Sequence, residues 1–128
     1  MPRALLLDSD ILIDHLRKEK SALDCINQEI DGGSLLFISV ISRIEILSGA
    51  RKGEGETIQS LFEMFTAVDV DVAIADRAGE YLGKFRKSNA ISIGDAIIAA
   101  TAREMGMKLV TRNIKHYPMK DIEILKPY

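Results

Sequence analysis

The chain has 128 residues, 47% of them apolar, and a formal net charge of −2 at pH 7. A chain of this length fills one domain, residues 1–128, with a core of its own, and its apolar content excludes a disordered protein. The near-neutral charge excludes a broadly basic nucleic-acid binder, so any contact with RNA or DNA must come from local arginines or a metal ion.

Within "RALLLD", Leu5 to Leu7 form a short apolar run, the pattern of a strand buried on both faces. "ILIDHLR" follows as a helix capped by Ser9 or Asp10, and "ALDCINQEI" as a second helix closed by Gly32 and Gly33. The single cysteine, Cys25, excludes an internal disulfide, which fits a reducing cytoplasm. On its helix it reads as a small core hydrophobe. "LLFISV" (35–40) is the second strand and "GARKGEGE" a polar loop. "TAVDVD" (66–71) is the third strand. A helix over 72–87 comes next, with Ala75, Ala78, Leu82 and Phe85 on its buried face. "SIGDAIIAATAREMG" is an alanine-rich helix ending at Gly106. "KLVT" (108–111) is the fourth strand and "IEIL" (122–125) an edge strand. Strands alternating with helices imply right-handed crossovers and a parallel sheet covered on both sides, an α/β fold. No apolar run approaches the ~18 residues of a membrane span. The N-terminal apolar run breaks at Asp8 without a small-residue cleavage site, so no signal peptide is expected.

Three acids, Asp8, Asp10 and Asp14, interrupt the most apolar stretch of the N-terminus, where burying a carboxylate is costly unless something compensates it. In open parallel sheets ligands sit beyond the carboxyl ends of the strands, where the strand order reverses, and Asp8 stands at such an end. Asp10 also reads as a helix cap, and Asp14 as a residue on a wet helix face. Glu45 follows the second strand, with Ser42 three residues before it at the spacing of a capping box. Asp95 has the same rival in Ser92. It also opens a wholly apolar helix segment, so its carboxylate points from a helix N-terminus toward the sheet end. Thr111 and Asn113 follow the fourth strand, and Asn113 alone is an ordinary turn residue. Together these are the oxygen donors a hard divalent cation takes, with room left for waters and a phosphate. Such an ion activates water. The chain has no cysteine–histidine set, glycine-rich phosphate loop or G-x-S-x-G, which removes zinc, P-loop and hydrolase-elbow chemistry.

The segments "LLLDSDILID", "ISVISRIEILSGA", "IGDAIIAATAREMGMKLVTRN" and the late "HY", in that order and spacing, resemble the PIN-domain ribonucleases over essentially the whole chain. The likeness is strongest to the VapC-type toxins of toxin–antitoxin pairs. This resemblance implies a three-layer α/β/α sandwich around a parallel sheet of four to five strands. It implies a cytoplasmic enzyme that cleaves single-stranded RNA with Mg2+ or Mn2+. Asp8 and Asp95 match direct metal ligands, Glu45 a third acid, and Thr111 a supporting hydroxyl. Asn113 stands where many members carry a fourth acid, a departure that touches a second metal site and not the first. The family further implies a homodimer and a cognate antitoxin whose C-terminal segment sets a basic side chain against the acids. Arg43 and Arg112 flank the acidic segments as candidate RNA contacts, with Asp10 in support. His15 and His116 read as structural.

Three rivals stand beside this reading. "DSDIL" and Gly94-Asp95 also resemble haloacid-dehalogenase-type phosphatases, but Ala99 stands where those carry a second acid. A receiver-type signalling domain shares the length and the acidic pair, yet no strand carries its phospho-accepting aspartate. A PIN fold that has lost catalysis and only binds a partner draws its support from Asn113 alone.

Overall fold

The computed structural model describes residues 2–128. Five strands form one sheet: β1 (Ala4–Leu7), β2 (Leu35–Ser39), β3 (Thr66–Val68), β4 (Lys108–Val110) and β5 (Ile124–Leu125). Their order is β3-β2-β1-β4-β5, and every pairing is parallel. Six helices fill the crossovers: α1 (Ser9–Leu16), α2 (Lys20–Asp31), α3 (Val40–Ser48), α4 (Gly55–Glu63), α5 (Val72–Asn89) and α6 (Ile93–Met105). The chain moves outward from β1 to β2 and β3, then returns to the other side of β1 for β4 and β5. The strand order therefore reverses at β1.

Side chains of one strand alternate between faces, and the two cores follow that alternation. Leu5 and Leu7 join Ile11, Leu12 and Ile26 on one face, with Ile46, Ile58 and Leu61 from α3 and α4. Leu6 and Leu109 join Ile74, Ala78 and Tyr81 of α5 and the alanines of α6 on the other. Ala96, Ala99, Ala100 and Ala102 are all essentially buried, which lets α6 lie close against its neighbours. The result is the expected α/β/α sandwich, with five strands. No helix among the described residues is long and apolar enough to cross a membrane.

Several local expectations are corrected. α4 begins inside the segment read as a polar loop. Ile58, Leu61 and Phe62 are its buried residues, a helical spacing that the glycines ahead of it masked. β3 stops at Val68 because Asp71 caps α5, its Oδ1 accepting the N–H of Ile74 at 2.9 Å. Val40 belongs to α3 because Ser39 caps that helix. On α5 the buried positions are Ile74, Ala78 and Tyr81, whereas Ala75 is exposed. Cys25 is half-buried and borders a cleft of about 260 Å³ between α2 and β1, β4 and β5, lined by both apolar and charged side chains, in place of a core position. β5 is shorter than predicted but does form the sheet edge. Gly106 ends α6 at a φ of 65°, as its place after the apolar pattern implied.

Candidate active site

Asp8 leaves the carboxyl end of β1 at the reversal point. Its own N–H still donates to the Val110 carbonyl at 2.9 Å, extending the ladder to β4 by one step. Asp8 itself, rather than Ser9 or Asp10, caps α1: Oδ1 accepts the N–H of Ser9 at 2.7 Å. Oδ2 accepts the Thr111 hydroxyl at 2.9 Å and the Tyr117 hydroxyl at 2.7 Å. The residue is only 6% exposed. Burial first, and then the charge of Asp10, push its carboxyl up to about 6, against the pull of the bonds from Tyr117, Thr111 and Ser9. Raised acids of this kind gather at functional sites.

The capping box for which Ser42 and Glu45 are spaced does not form, because α3 already starts at Val40. Ser42 is instead fully buried, 2.9 Å from the Ser9 hydroxyl, and Ser9 donates to Glu45 Oε1 at 3.1 Å. Burial of its side chain raises the Glu45 carboxyl; the Ser9 bond opposes this and the Asp95 charge adds to it. Glu45 lies against the start of α6: a Cβ added to Gly94 would stand 3.6 Å from its Oε1. Asp95 does form the capping box of α6. Its N–H donates to Ser92 Oγ at 3.0 Å, and its Oδ2 accepts the Ser92 N–H at 3.3 Å. The cap engages one oxygen and leaves Oδ1 outside it, so capping does not use the whole carboxylate. His116, read as structural, places Nδ1 3.9 Å from Asp95 Oδ2.

The remaining predicted residues divide. Asp10 accepts the Ile11 N–H at 2.8 Å through Oδ1 and the Arg112 N–H at 2.9 Å through Oδ2, tying the start of α1 to the end of β4. Thr111, fully buried, accepts the Asn113 N–H at 3.0 Å. The side chain of Asn113 has no hydrogen bond among the described residues, so only its backbone joins the network. Asp14 is not on a wet face: the Arg112 guanidinium grips it at 2.6 and 3.2 Å, and the Tyr128 hydroxyl donates to it at 2.8 Å. Arg43 stacks over Phe62 at 4.2 Å. Both arginines thus have protein partners, Phe62 beneath Arg43 and Asp14 beside Arg112.

The acids meet in pairs, Asp8 beside Asp10 and Glu45 beside Asp95, with Ser9 bridging the pairs. Among the described residues no three acids, histidines or cysteines converge on one point, so the site is not a closed cage. An ion such as Mg2+ keeps several waters and takes one or two carboxylates, and the donor set fits that kind of ion. It consists of hard oxygens, and Asp8 and Glu45 are both raised by burial and by a neighbouring acid, a repulsion that a cation reverses. Two contributors were not singled out from the sequence. Ser42 was read only as a cap. Tyr117 lies in a matching segment, but nothing in its neighbours signals a partner 109 residues away.

Residues 5–121 match the family model described as PIN domain. The chain is 40% identical to Ribonuclease VapC10 of Mycobacterium tuberculosis over 124 residues, 96% of this chain and 91% of that one. It is 33% identical to Ribonuclease VapC19 of the same organism over 115 residues, 89% of this chain and 92% of that one. Among solved structures it is similar to a toxin–antitoxin complex from Klebsiella pneumoniae, at a TM-score of 0.73 and 29% identity, covering 97% of this chain and 98% of that one. It shares its fold with the DNA-bound VapBC of Salmonella typhimurium at a TM-score of 0.82 and 21% identity, with both chains covered in full.

Proposed function

The chain belongs to the PIN-domain family, among the VapC-type ribonucleases, and from that premise we propose that Asp8, Glu45 and Asp95 form the active site of a metal-dependent endoribonuclease. The enzyme hydrolyses phosphodiester bonds of single-stranded RNA as the toxin of a toxin–antitoxin pair, with residues 1–128 working as one domain. The observation that carries this reading is Asp8: a buried carboxylate at the strand-order reversal, with a raised proton affinity, linked through Ser9 to a second pair of acids. The family match leaves the phosphatase and receiver readings without support.

Asp8 and Asp95 would hold Mg2+ or Mn2+. When bound, the ion supplies an activated water and offsets charge growing on the phosphoryl oxygens. The chain's own groups do the rest. Ser9 fixes Glu45 through Oε1, which leaves Oε2 to take a proton from the attacking water; the raised Glu45 carboxyl is suited to that role. Thr111 buttresses Asp8, and Asp10 locks α1 to the end of β4, so the two sides of the cleft keep their spacing.

A cognate antitoxin and a second copy of the chain are the proposed protein partners. The Klebsiella structure, a toxin–antitoxin complex, supports the first. Exposed Ile44 and Leu47 on α3 and Ile93 at the start of α6 offer apolar surface beside the acids for such contacts. A cytoplasmic location accords with the free thiol of Cys25. The test is incubation of purified protein with single-stranded and duplex RNA, with Mn2+ or with EDTA. Cleavage of the single-stranded substrate that EDTA abolishes is the expected result. A protein that leaves both RNAs intact in Mn2+ would instead be a partner-binding PIN fold.

A further inference from the structure

We infer that Tyr117 is a positioning residue for the Asp8 carboxylate: its hydroxyl, together with that of Thr111, occupies Oδ2 and leaves Oδ1 as the oxygen that meets the cation. The inference rests on the reading of Asp8 as a metal ligand. A carboxylate oxygen offers about two acceptor sites. At Oδ2 both are filled, by Tyr117 at 2.7 Å and Thr111 at 2.9 Å. Oδ1 accepts only the Ser9 N–H at 2.7 Å, so one site there stays open.

Thr111 alone does not fix this arrangement. Its single proton also lies within reach of Asp10 Oδ2, at 3.2 Å, so without a second donor it divides between two carboxylates. Tyr117 has no such alternative. Its ring is 3% exposed and seated in the core beneath α5 and α6, and its N–H is bonded to the Ile114 carbonyl at 2.9 Å. From that rigid mount the hydroxyl reaches Asp8. A phenol keeps its proton at neutral pH, so the hydroxyl is a donor there. The short helical turn Ile114–His116 between β4 and Tyr117 therefore carries a core aromatic back to the end of β1. Partners that orient a ligand are worth about 10- to 100-fold in metal affinity or activity.

Tyr117→Phe keeps the ring and removes only the hydroxyl. Titrating metal-free protein with Mn2+ in a calorimeter should show about tenfold weaker binding. Steady-state cleavage should show a comparable fall in kcat with an unchanged KM for RNA. A variant that melts lower yet binds Mn2+ as tightly as wild type would make the hydroxyl purely structural and overturn the inference. Asp8→Asn, titrated in parallel, separates the two levels. If it loses Mn2+ binding while Tyr117→Phe retains it, only the positioning role fails. If Asp8→Asn itself binds like wild type, the reading of Asp8 as a ligand falls, and the positioning role falls with it.

Discussion

Replacing Asp8 with asparagine removes a charge that the fold holds at a cost. The carboxyl lies at about 6 against an ordinary 3.8, raised by burial first and by Asp10 second. Each tenfold in proton affinity is worth about 1.4 kcal/mol. Keeping Asp8 ionised at neutral pH therefore costs the metal-free fold on the order of 3 kcal/mol. An acid that binds its proton more tightly when folded stabilises the fold fully below about pH 4, and that contribution is lost as the pH rises through about 6. Asparagine has no such titration. Its absolute stability is a poor gauge, because an amide that turns its oxygen toward Thr111 and Tyr117 sets its NH2 against the Ser9 N–H, a mismatch of about 1–3 kcal/mol. The pH slope is free of that constant offset. Urea unfolding of both proteins in EDTA between pH 4 and 7.5 should show wild type losing about 2–3 kcal/mol more than Asp8→Asn across the range. Parallel curves would refute the claim that Asp8 is a strained, buried charge.

Further outcomes follow from the same geometry. Mn2+ at ~100 times its dissociation constant should add about 2.7 kcal/mol to wild type, about 10 °C in Tm for a chain of this length; Asp8→Asn should lose most of that gain, and an equal gain in both would place the ion elsewhere. Asn113→Asp adds a charge beside Thr111, so it should lower the metal-free Tm yet tighten Mn2+ binding, since hard cations gain affinity with ligand charge. If calorimetry finds both unchanged, Asn113 is a turn residue outside the site. Arg112→Lys gives up the two-pronged grip on Asp14, a partly exposed pair, and should cost about 0.5–1 kcal/mol of stability while leaving the KM for RNA within about twofold. A tenfold rise in KM would place Arg112 on the RNA-binding surface.

The sheet and its order of elements were legible because each strand is an apolar run bounded by acids, glycines or a capping serine, and α6 is bounded by Ser92 and Gly106. α4 was hidden for a local reason: its first turn is polar and glycine-led, while its buried residues Ile58, Leu61 and Phe62 come later. Asp8, Glu45 and Asp95 stood out as candidates because each comes shortly after an apolar strand pattern or at the start of a helical one. Their grouping into pairs could not be read, since it depends on Ser9 reaching Glu45 and on the start of α6 meeting α3. At Asp95 the capping box is present, yet it uses one oxygen and keeps the other clear of the cap. Asp14, Arg112 and Tyr128 are joined by contacts that span about a hundred residues of sequence, beyond the reach of any local pattern.

In the proposed mechanism one acid cleft, built on Asp8 and Asp95, performs metal-dependent RNA hydrolysis. The direct measurement is the single-turnover cleavage rate of one labelled single-stranded RNA by wild type, Asp8→Asn and Asp95→Asn in Mn2+, with the fold of each variant verified by circular dichroism. Wild type should cleave, and both folded variants should fall to the uncatalysed background. Cleavage by either folded variant at the wild-type rate would contradict the account and move the active site away from the end of β1.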